Sequence, residues 1–208
     1  MRLWFHFGGT PNDPTRNTDV FAAYALLLVV QDRPSPEWYP VLEAPAGLTH
    51  VLTIPSNANS GPRIQFRGRV LRADRKTPVA NAIVYFHHTD GSGVYPRRAG
   101  SNPREWVHCH GYLRGWLRTD AQGRYVLNTT KPAPYPGGRE PAHIHVYGLL
   151  PGSRSGIDFP AFLFEGDRFL TEYYWRRNPV GADGYRFSRL RADGSGVLKG
   201  ERDLILPR

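Results

Sequence analysis

Cysteine, lysine and long apolar stretches are scarce in this chain of 208 residues. Its one cysteine, Cys109, excludes an intrachain disulfide framework, which suits the cytoplasm.

The longest apolar run, residues 20–30, is too short to span a bilayer, so no membrane span is expected. We interpret the run as a buried strand or short helix. The apolar region of an export signal, with a small-residue cleavage site at residues 44–46, is the alternative.

Acidic residues are also few in comparison with basic ones. Lysine and arginine total 27 against 18 aspartates and glutamates, and the formal net charge is +9. The arginines are scattered in the sequence, whereas a nucleic-acid footprint is normally a clustered patch or a recognisable motif. We therefore expect no nucleic-acid partner, and a basic surface that attracts small anionic molecules.

Glycine and proline are abundant, with 22 and 19 residues, and no long stretch has helical periodicity. Residues 64–70 alternate apolar and polar side chains, residues 82–86 and 142–149 are further strand candidates, and a hairpin is predicted around residues 120–123. One short helix is expected within residues 168–177. The sequence therefore predicts an all-β fold, an antiparallel sandwich with long loops.

The predicted domain boundary lies at residue 62. Residues 1–62 are interrupted by proline and glycine and are interpreted as an irregular N-terminal arm and connector. Residues 63–208 are interpreted as the sandwich domain.

The stretch PAHIHV, residues 141–146, carries a chemical signal. Alternate side chains of a strand share a face, so His143 and His145 project the same way, about 7 Å apart along the strand. Two imidazoles placed in this way can bind one metal ion. A pair of ordinary surface or half-buried histidines is the alternative.

Tyr135 stands between two prolines in the stretch KPAPYPGG, residues 131–138. Flanking prolines restrict the backbone and present the side chain in one direction. A tyrosinate is a hard anionic donor, and a free tyrosine has a pKa of about 10, so its deprotonation near neutrality requires a cation. Two histidines and a tyrosinate favour oxidised iron over zinc or magnesium. A ring packed over the loop is the alternative.

Six stretches together resemble the intradiol ring-cleavage dioxygenases, the family of catechol and protocatechuate dioxygenases. In chain order they read TPVANA, DGSGVY, TDAQGRY, KPAPYP, PAHIH and FEGD. The resemblance implies an oxidoreductase that opens a catechol-type aromatic ring between its two hydroxylated carbons, with dioxygen as the second substrate. It also implies one mononuclear non-haem Fe(III).

The resemblance further implies four metal ligands. Tyr95 and His143 match the family's equatorial positions, and Tyr135 and His145 match the axial ones. It implies that Tyr135 also acts in catalysis, by taking a proton from the aromatic substrate as this binds.

Two positions depart from the family pattern. Glu140 stands where the family has an arginine, and Ala161 where it has a glutamine. A carboxylate near an anionic substrate disfavours binding. Arg139 is therefore our second catalytic candidate, expected to reach towards the metal pocket while Glu140 faces solvent or pairs with a surface arginine.

His108, Cys109 and His110 form a second cluster, which lacks the further cysteine of a structural zinc site. The candidates for a pocket wall are His110, Tyr112, Arg114 and Trp116, with a strand and aromatic core packing as the alternative. Two other functions stay open at this point. One is a transthyretin-like sandwich that binds without catalysis and has no need of the four ligands, and the other is a dioxygenase relative with degenerate activity. The oligomeric state, monomer or homo-oligomer, is also open.

Overall fold

The computed structural model describes residues 39–101, 109–178 and 187–208. The apolar run at residues 20–30 and most of the predicted arm lie outside these ranges. The described elements, in chain order, are a 3-10 helix (Tyr39–Glu43), β1 (Val51–Thr53), β2 (Arg63–Leu71), β3 (Ile83–His88), β4 (Arg114–Arg118), β5 (Arg124–Thr130), β6 (His143–Leu149), β7 (Ile157–Leu163), α1 (Glu172–Arg177), β8 (Arg191–Ala192), β9 (Leu198–Glu201) and β10 (Leu204–Ile205).

The strands form two sheets. The first has the order β1-β5-β2-β9-β8, with β10 also paired to β2, and the second has the order β4-β3-β6-β7. The predicted all-β sandwich is confirmed. The second sheet is antiparallel throughout, whereas β1 with β5, β2 with β9 and β2 with β10 are parallel pairs. These three pairs join strands that are distant in sequence, so no tight hairpin imposes the antiparallel direction.

The core lies between the two sheets, as strand alternation requires. In β2, Ile64 and Phe66 are buried, while Gln65 between them is half-buried and its neighbours Arg63 and Arg67 are exposed. In β6, Ile144 and Val146 are buried in the same way. Phe66 of the first sheet meets Phe162 of the second edge to face, with ring centroids 4.9 Å apart.

The predicted hairpin around residues 120–123 is wrong in its pairing, although the turn exists. Gly123 donates from its backbone nitrogen to the carbonyl oxygen of Asp120 at 3.0 Å. However, β4 pairs with β3 in one sheet, and β5 pairs with β1 and β2 in the other. Local turn chemistry specifies a chain reversal, but it does not specify which strands then pair, because that depends on distant partners.

The predicted helix at residues 168–177 is confirmed with shorter bounds, as α1. The Thr171 hydroxyl caps it by accepting a hydrogen bond from the Tyr174 backbone nitrogen at 3.2 Å. None of the helices described is long and apolar enough to cross a membrane.

Part of the predicted connector packs on the sandwich. β1 pairs with β5, and the Trp116 indole donates to the Pro40 carbonyl oxygen at 2.7 Å. Val41 is fully buried against Tyr85 and Tyr147. The boundary at residue 62 stays a prediction, because residues 1–38 lie outside the described ranges.

Candidate metal centre

The outer face of the second sheet carries rows of polar and aromatic side chains that run across the strands. In one row His87 of β3 is paired with Arg114 of β4 on one side and with His145 of β6 on the other. The neighbouring row consists of Trp116, Tyr85 and Tyr147. Because alternate residues share a face, the apolar residues between them fill the core.

Tyr95, Tyr135, His143 and His145 meet at this face. The hydroxyl oxygens of the two tyrosines are 3.0 Å apart, and that of Tyr135 is 3.2 Å from Nε2 of His143. The Nε2 atoms of His143 and His145 are 2.9 Å apart. Two phenol oxygens and two imidazole nitrogens thus form one continuous donor set.

The His143 ring is held in the orientation that a metal ligand needs. Its Nδ1 lies 2.8 Å from the carbonyl oxygen of Pro141. A carbonyl oxygen only accepts, so Nδ1 carries the proton and Nε2 presents its lone pair to the donor set. The start of β6 is fixed as well, since the backbone nitrogen of Ala142 donates to the Asp167 carboxylate at 2.9 Å.

Tyr95 lies just after a loop that is folded around Asp90. One carboxylate oxygen of Asp90 accepts from the backbone nitrogen and hydroxyl of Ser92 at 2.8 and 2.6 Å, and from the Val94 backbone nitrogen at 3.3 Å. Partial burial raises the pKa of Asp90, but these bonds and one from Asn57 hold it below its ordinary value. The carboxylate therefore stays ionised and keeps the loop in shape.

Gly93 brings the Tyr95 loop against the Tyr135 loop. Its φ is +82°, and a Cβ atom at this position would overlap the carbonyl oxygen of Pro134, the residue before Tyr135. Glycine alone combines this backbone conformation with so close an approach. The DGSGVY motif therefore delivers one tyrosine next to the other.

Burial keeps the two tyrosines and His145 uncharged. It raises the pKa of Tyr95, and the hydrogen bond and charge of Tyr135 raise it further. Burial also raises the pKa of Tyr135; the bond from Tyr95 lowers that pKa and the charge of Glu140 raises it. Burial, with His143 and His110, lowers the pKa of His145 to about 3. At neutral pH, His145 is uncharged, and both tyrosines keep their protons until a cation displaces them.

The donor set suits a hard trivalent cation, because it combines two oxygens that become anionic with two neutral imidazoles. Within the described ranges, no group of three or more histidine, cysteine, aspartate or glutamate side chains could hold a metal ion. The donor set therefore depends on the hydroxyl oxygens of Tyr95 and Tyr135 as well as on the two imidazoles.

Arg139 and Glu140 are both exposed. They precede β6, which begins at His143, so strand alternation does not set their directions. Burial raises the pKa of Tyr135 and of Tyr174, and the charge of Glu140 adds to both increases. The role of Arg139 stays a prediction.

Ala161 lies in a β-bulge opposite His145. The register between β6 and β7 shifts between Ile144 and Val146, so that Pro160 and Ala161 together face one residue of β6. Ala161 and His145 are among the residues that line a pocket of about 390 Å³. The bulge therefore shapes the space beside the donor set.

His87 is a residue of this site that the sequence analysis missed. It is 3% exposed and its ring is stacked on His145, with centroids 4.4 Å apart. The run YFHH in β3 is a signal that could have found it, since alternation places Tyr85 and His87 on the face opposite Phe86. His110 stacks on His87 and so lies beside the site; His108 lies outside the described residues.

Known proteins are similar to this chain in sequence. A family model described as Dioxygenase matches residues 35–174. Catechol 1,2-dioxygenase 2 of Acinetobacter lwoffii is 31% identical over 132 residues, 53% of this chain and 46% of that protein. The protocatechuate 3,4-dioxygenase beta chain of Burkholderia cepacia is 31% identical over 157 residues, 70% of this chain and 65% of that one. The chain thus spans between about half and two thirds of the length of these relatives.

Solved structures share the fold. The dioxygenase domain of a dioxygenase–carbohydrate-binding fusion protein from Streptomyces sp. SirexAA-E has a TM-score of 0.56 at 22% identity, covering 74% of this chain and 85% of that one. Catechol 1,2-dioxygenase from Acinetobacter sp. ADP1 has a TM-score of 0.56 at 17% identity, covering 93% and 80%.

The family match spans most of the described sandwich and includes both tyrosines and both histidines of the donor set. It favours the dioxygenases over the transthyretin-like sandwiches, whose fold needs no such set. This chain belongs to the intradiol dioxygenase family.

Proposed function

We propose that this protein is a non-haem iron(III) enzyme that cleaves a catechol-type aromatic ring between its two hydroxylated carbons with dioxygen. The observation that supports this most directly is the continuous contact of two phenol oxygens and two imidazole nitrogens over distances of 2.9–3.2 Å. The family generally depends on non-haem Fe(III), and the residues present fit that ion.

Tyr95, Tyr135, His143 and His145 would hold the iron. When bound, iron(III) activates the aromatic ring for reaction with dioxygen. The residues of the chain supply position and proton transfer. The Pro141 carbonyl keeps His143 in the required tautomer. Tyr135 would be ionised while it holds the metal, and its oxygen would then accept a proton from a hydroxyl group of the substrate.

The iron proposal is tested by the absorption spectrum of the purified, iron-reconstituted protein. Phenolate-to-iron(III) charge transfer should give a broad visible band and a reddish colour. His145→Ala should abolish iron retention, whereas His110→Ala, which changes a neighbouring ring outside the donor set, should reduce it less. Protein that stays colourless and metal-free by elemental analysis after reconstitution would rule out the proposal.

The substrate class is tested with an oxygen electrode. Catechol and protocatechuate, which the relatives' names give as substrates, are the first compounds to try. We expect slow oxygen consumption, because Glu140 places a negative charge near Tyr135 and an anionic substrate. Iron-loaded protein that consumes no oxygen with any catechol would support the alternative of a degenerate relative.

Arg139 is proposed to compensate for the missing arginine at position 140. Arg139→Ala should therefore lose much more turnover than Glu140→Ala, which keeps the arginine and removes the opposing charge. Equal turnover in the two variants would refute the compensation.

We also propose that the enzyme acts in the cytoplasm, which suits a chain with one cysteine.

A further inference from the structure

His87 is in contact with the donor set without belonging to it. The residue is the cross-strand partner of His145 and is 3% exposed. The His87 and His145 rings are nearly parallel, with centroids 4.4 Å apart and planes at 8°. The lone pairs of two parallel, stacked rings lie in separate parallel planes, so they cannot converge on one ion. His87 is therefore not a further ligand of the same metal.

A second ring supports His87 from another side. His110 stacks on it at 3.7 Å with an interplanar angle of 3°. His110 is itself anchored, because its Nδ1 lies 2.9 Å from the Tyr85 hydroxyl oxygen. Tyr85, His110, His87 and His145 thus form a continuous series of contacts that ends at a metal-ligand position.

The contacts of His87 are made by its ring faces and not by its nitrogens. Neither ring nitrogen has a hydrogen-bond partner among the residues described. The adjacent His88, on the core side, is the opposite case: its Nδ1 lies 2.6 Å from the Thr89 carbonyl oxygen and its Nε2 lies 2.6 Å from the Thr129 hydroxyl. His88 is thus fixed by hydrogen bonds, whereas His87 is fixed by the rings that stack on its faces.

We propose that His87 is a positioning residue, whose ring fixes the plane of His145 so that Nε2 of His145 points at the other three donor atoms. His145 needs such support, because residues 160 and 161 bulge away opposite it and β7 offers no regular cross-strand partner there. This inference rests on the proposed function, since it takes His145 to be an iron ligand.

The test compares His87→Ala and His87→Phe with the wild-type protein, all as the full chain reconstituted with iron. Alanine removes the supporting face, while phenylalanine keeps a flat ring and removes the nitrogens. We expect iron affinity, measured by chelator competition, to fall about 10- to 100-fold in His87→Ala, as for other supporting residues of metal sites, and to recover in His87→Phe. The visible band and the electron paramagnetic resonance spectrum of the ferric protein should change with alanine and return with phenylalanine.

A measurement without iron separates positioning from folding. Phenylalanine removes two buried nitrogens that lack partners, so iron-free His87→Phe should melt at a higher temperature than the wild type. If His87→Ala does not fold, His110→Ala removes the backing ring instead and should weaken iron binding by a smaller factor.

If His87→Ala keeps the iron affinity and the spectra of the wild type, the inference about His87 is overturned, while the proposed function is not affected. Loss of iron in His87→Phe equal to that in His87→Ala would also overturn it, because the nitrogens would then carry the role. Absence of iron binding in the wild type would instead refute the proposed function, and the inference with it.

Discussion

Tyr95 and Tyr135 are phenols that burial holds in the protonated form. A metal ion that takes them as ligands must displace both protons. The bound state then carries fewer protons than the free state, so metal affinity rises as pH rises and is lost as pH falls. His145, with a pKa lowered to about 3, stays neutral above pH 5 and does not contribute to this dependence.

This linkage predicts a steep pH dependence of iron retention. Two released protons correspond to about a 100-fold change in affinity per pH unit near neutrality, and one proton to about 10-fold. Tyr135→Phe should therefore have a slope about one proton lower than the wild type when both compete with the same chelator between pH 6 and 8. Identical slopes would mean that Tyr135 does not lose its proton on binding.

Two loops and a bulge build the site around β6. The Tyr95 loop is closed by Asp90 and approaches the Tyr135 loop at Gly93. The bulge in β7 lines the pocket beside His145. Loops and bulges place the side chains that regular strands cannot, because strand alternation offers only two directions.

Gly93→Ala should separate the two tyrosines. A methyl group would overlap the Pro134 carbonyl oxygen, so one loop must move. We expect bound iron to fall to a small fraction of the wild-type level, by elemental analysis, with the far-ultraviolet circular dichroism spectrum unchanged. Gly100→Ala is the matched control: its φ is +79°, yet no atom lies within 4 Å of the added methyl group. It should lose about 1 kcal/mol through backbone strain and keep its iron. Iron retained in Gly93→Ala would contradict this account of the loop contact.

The two sheets are joined by a buried arginine as well as by the apolar core. Arg202 directly follows β9 of the first sheet and is 2% exposed. Its guanidinium donates to the carbonyl oxygens of Pro160 and Ala161 in the bulge of β7, at 3.1 and 3.0 Å. It also lies 4.6 Å from the centroid of the Phe162 ring. One side chain from the C-terminal segment thus holds the bulge beside the candidate metal centre.

Arg202→Met should destabilise the whole sandwich. Two partly buried carbonyl groups lose their donor, and we expect the free energy of unfolding to fall by about 2–4 kcal/mol in urea denaturation. Arg189→Met is the control. The Arg189 guanidinium donates two hydrogen bonds to the Glu165 carboxylate, at 2.7 and 2.8 Å, but this ion pair is exposed. Its loss should therefore change the free energy of unfolding little. If the two variants have equal stability, Arg202 does not tie the sheets together.

Local patterns in the sequence were sufficient for the all-β fold, for α1 and for the face that His143 and His145 share. The strands and the shared face depend on a period of two residues, and α1 is a short segment with the Thr171 cap, all of which neighbouring residues specify by themselves. The four residues of the donor set came from the family motifs, in which Gly93 and the prolines around Tyr135 direct the tyrosines.

Tertiary structure alone decided the rest. The turn at residues 120–123 leads from one sheet to the other, three strand pairs are parallel, and His87 lies against His145. Tertiary structure also decided the bulge opposite His145 and the hydrogen bonds from Arg202 that support this bulge. All of these join segments far apart in the chain, and no local period encodes which distant strand becomes a neighbour or in which register. That choice is made by the packing of the whole core, in which every strand competes for the same apolar surface.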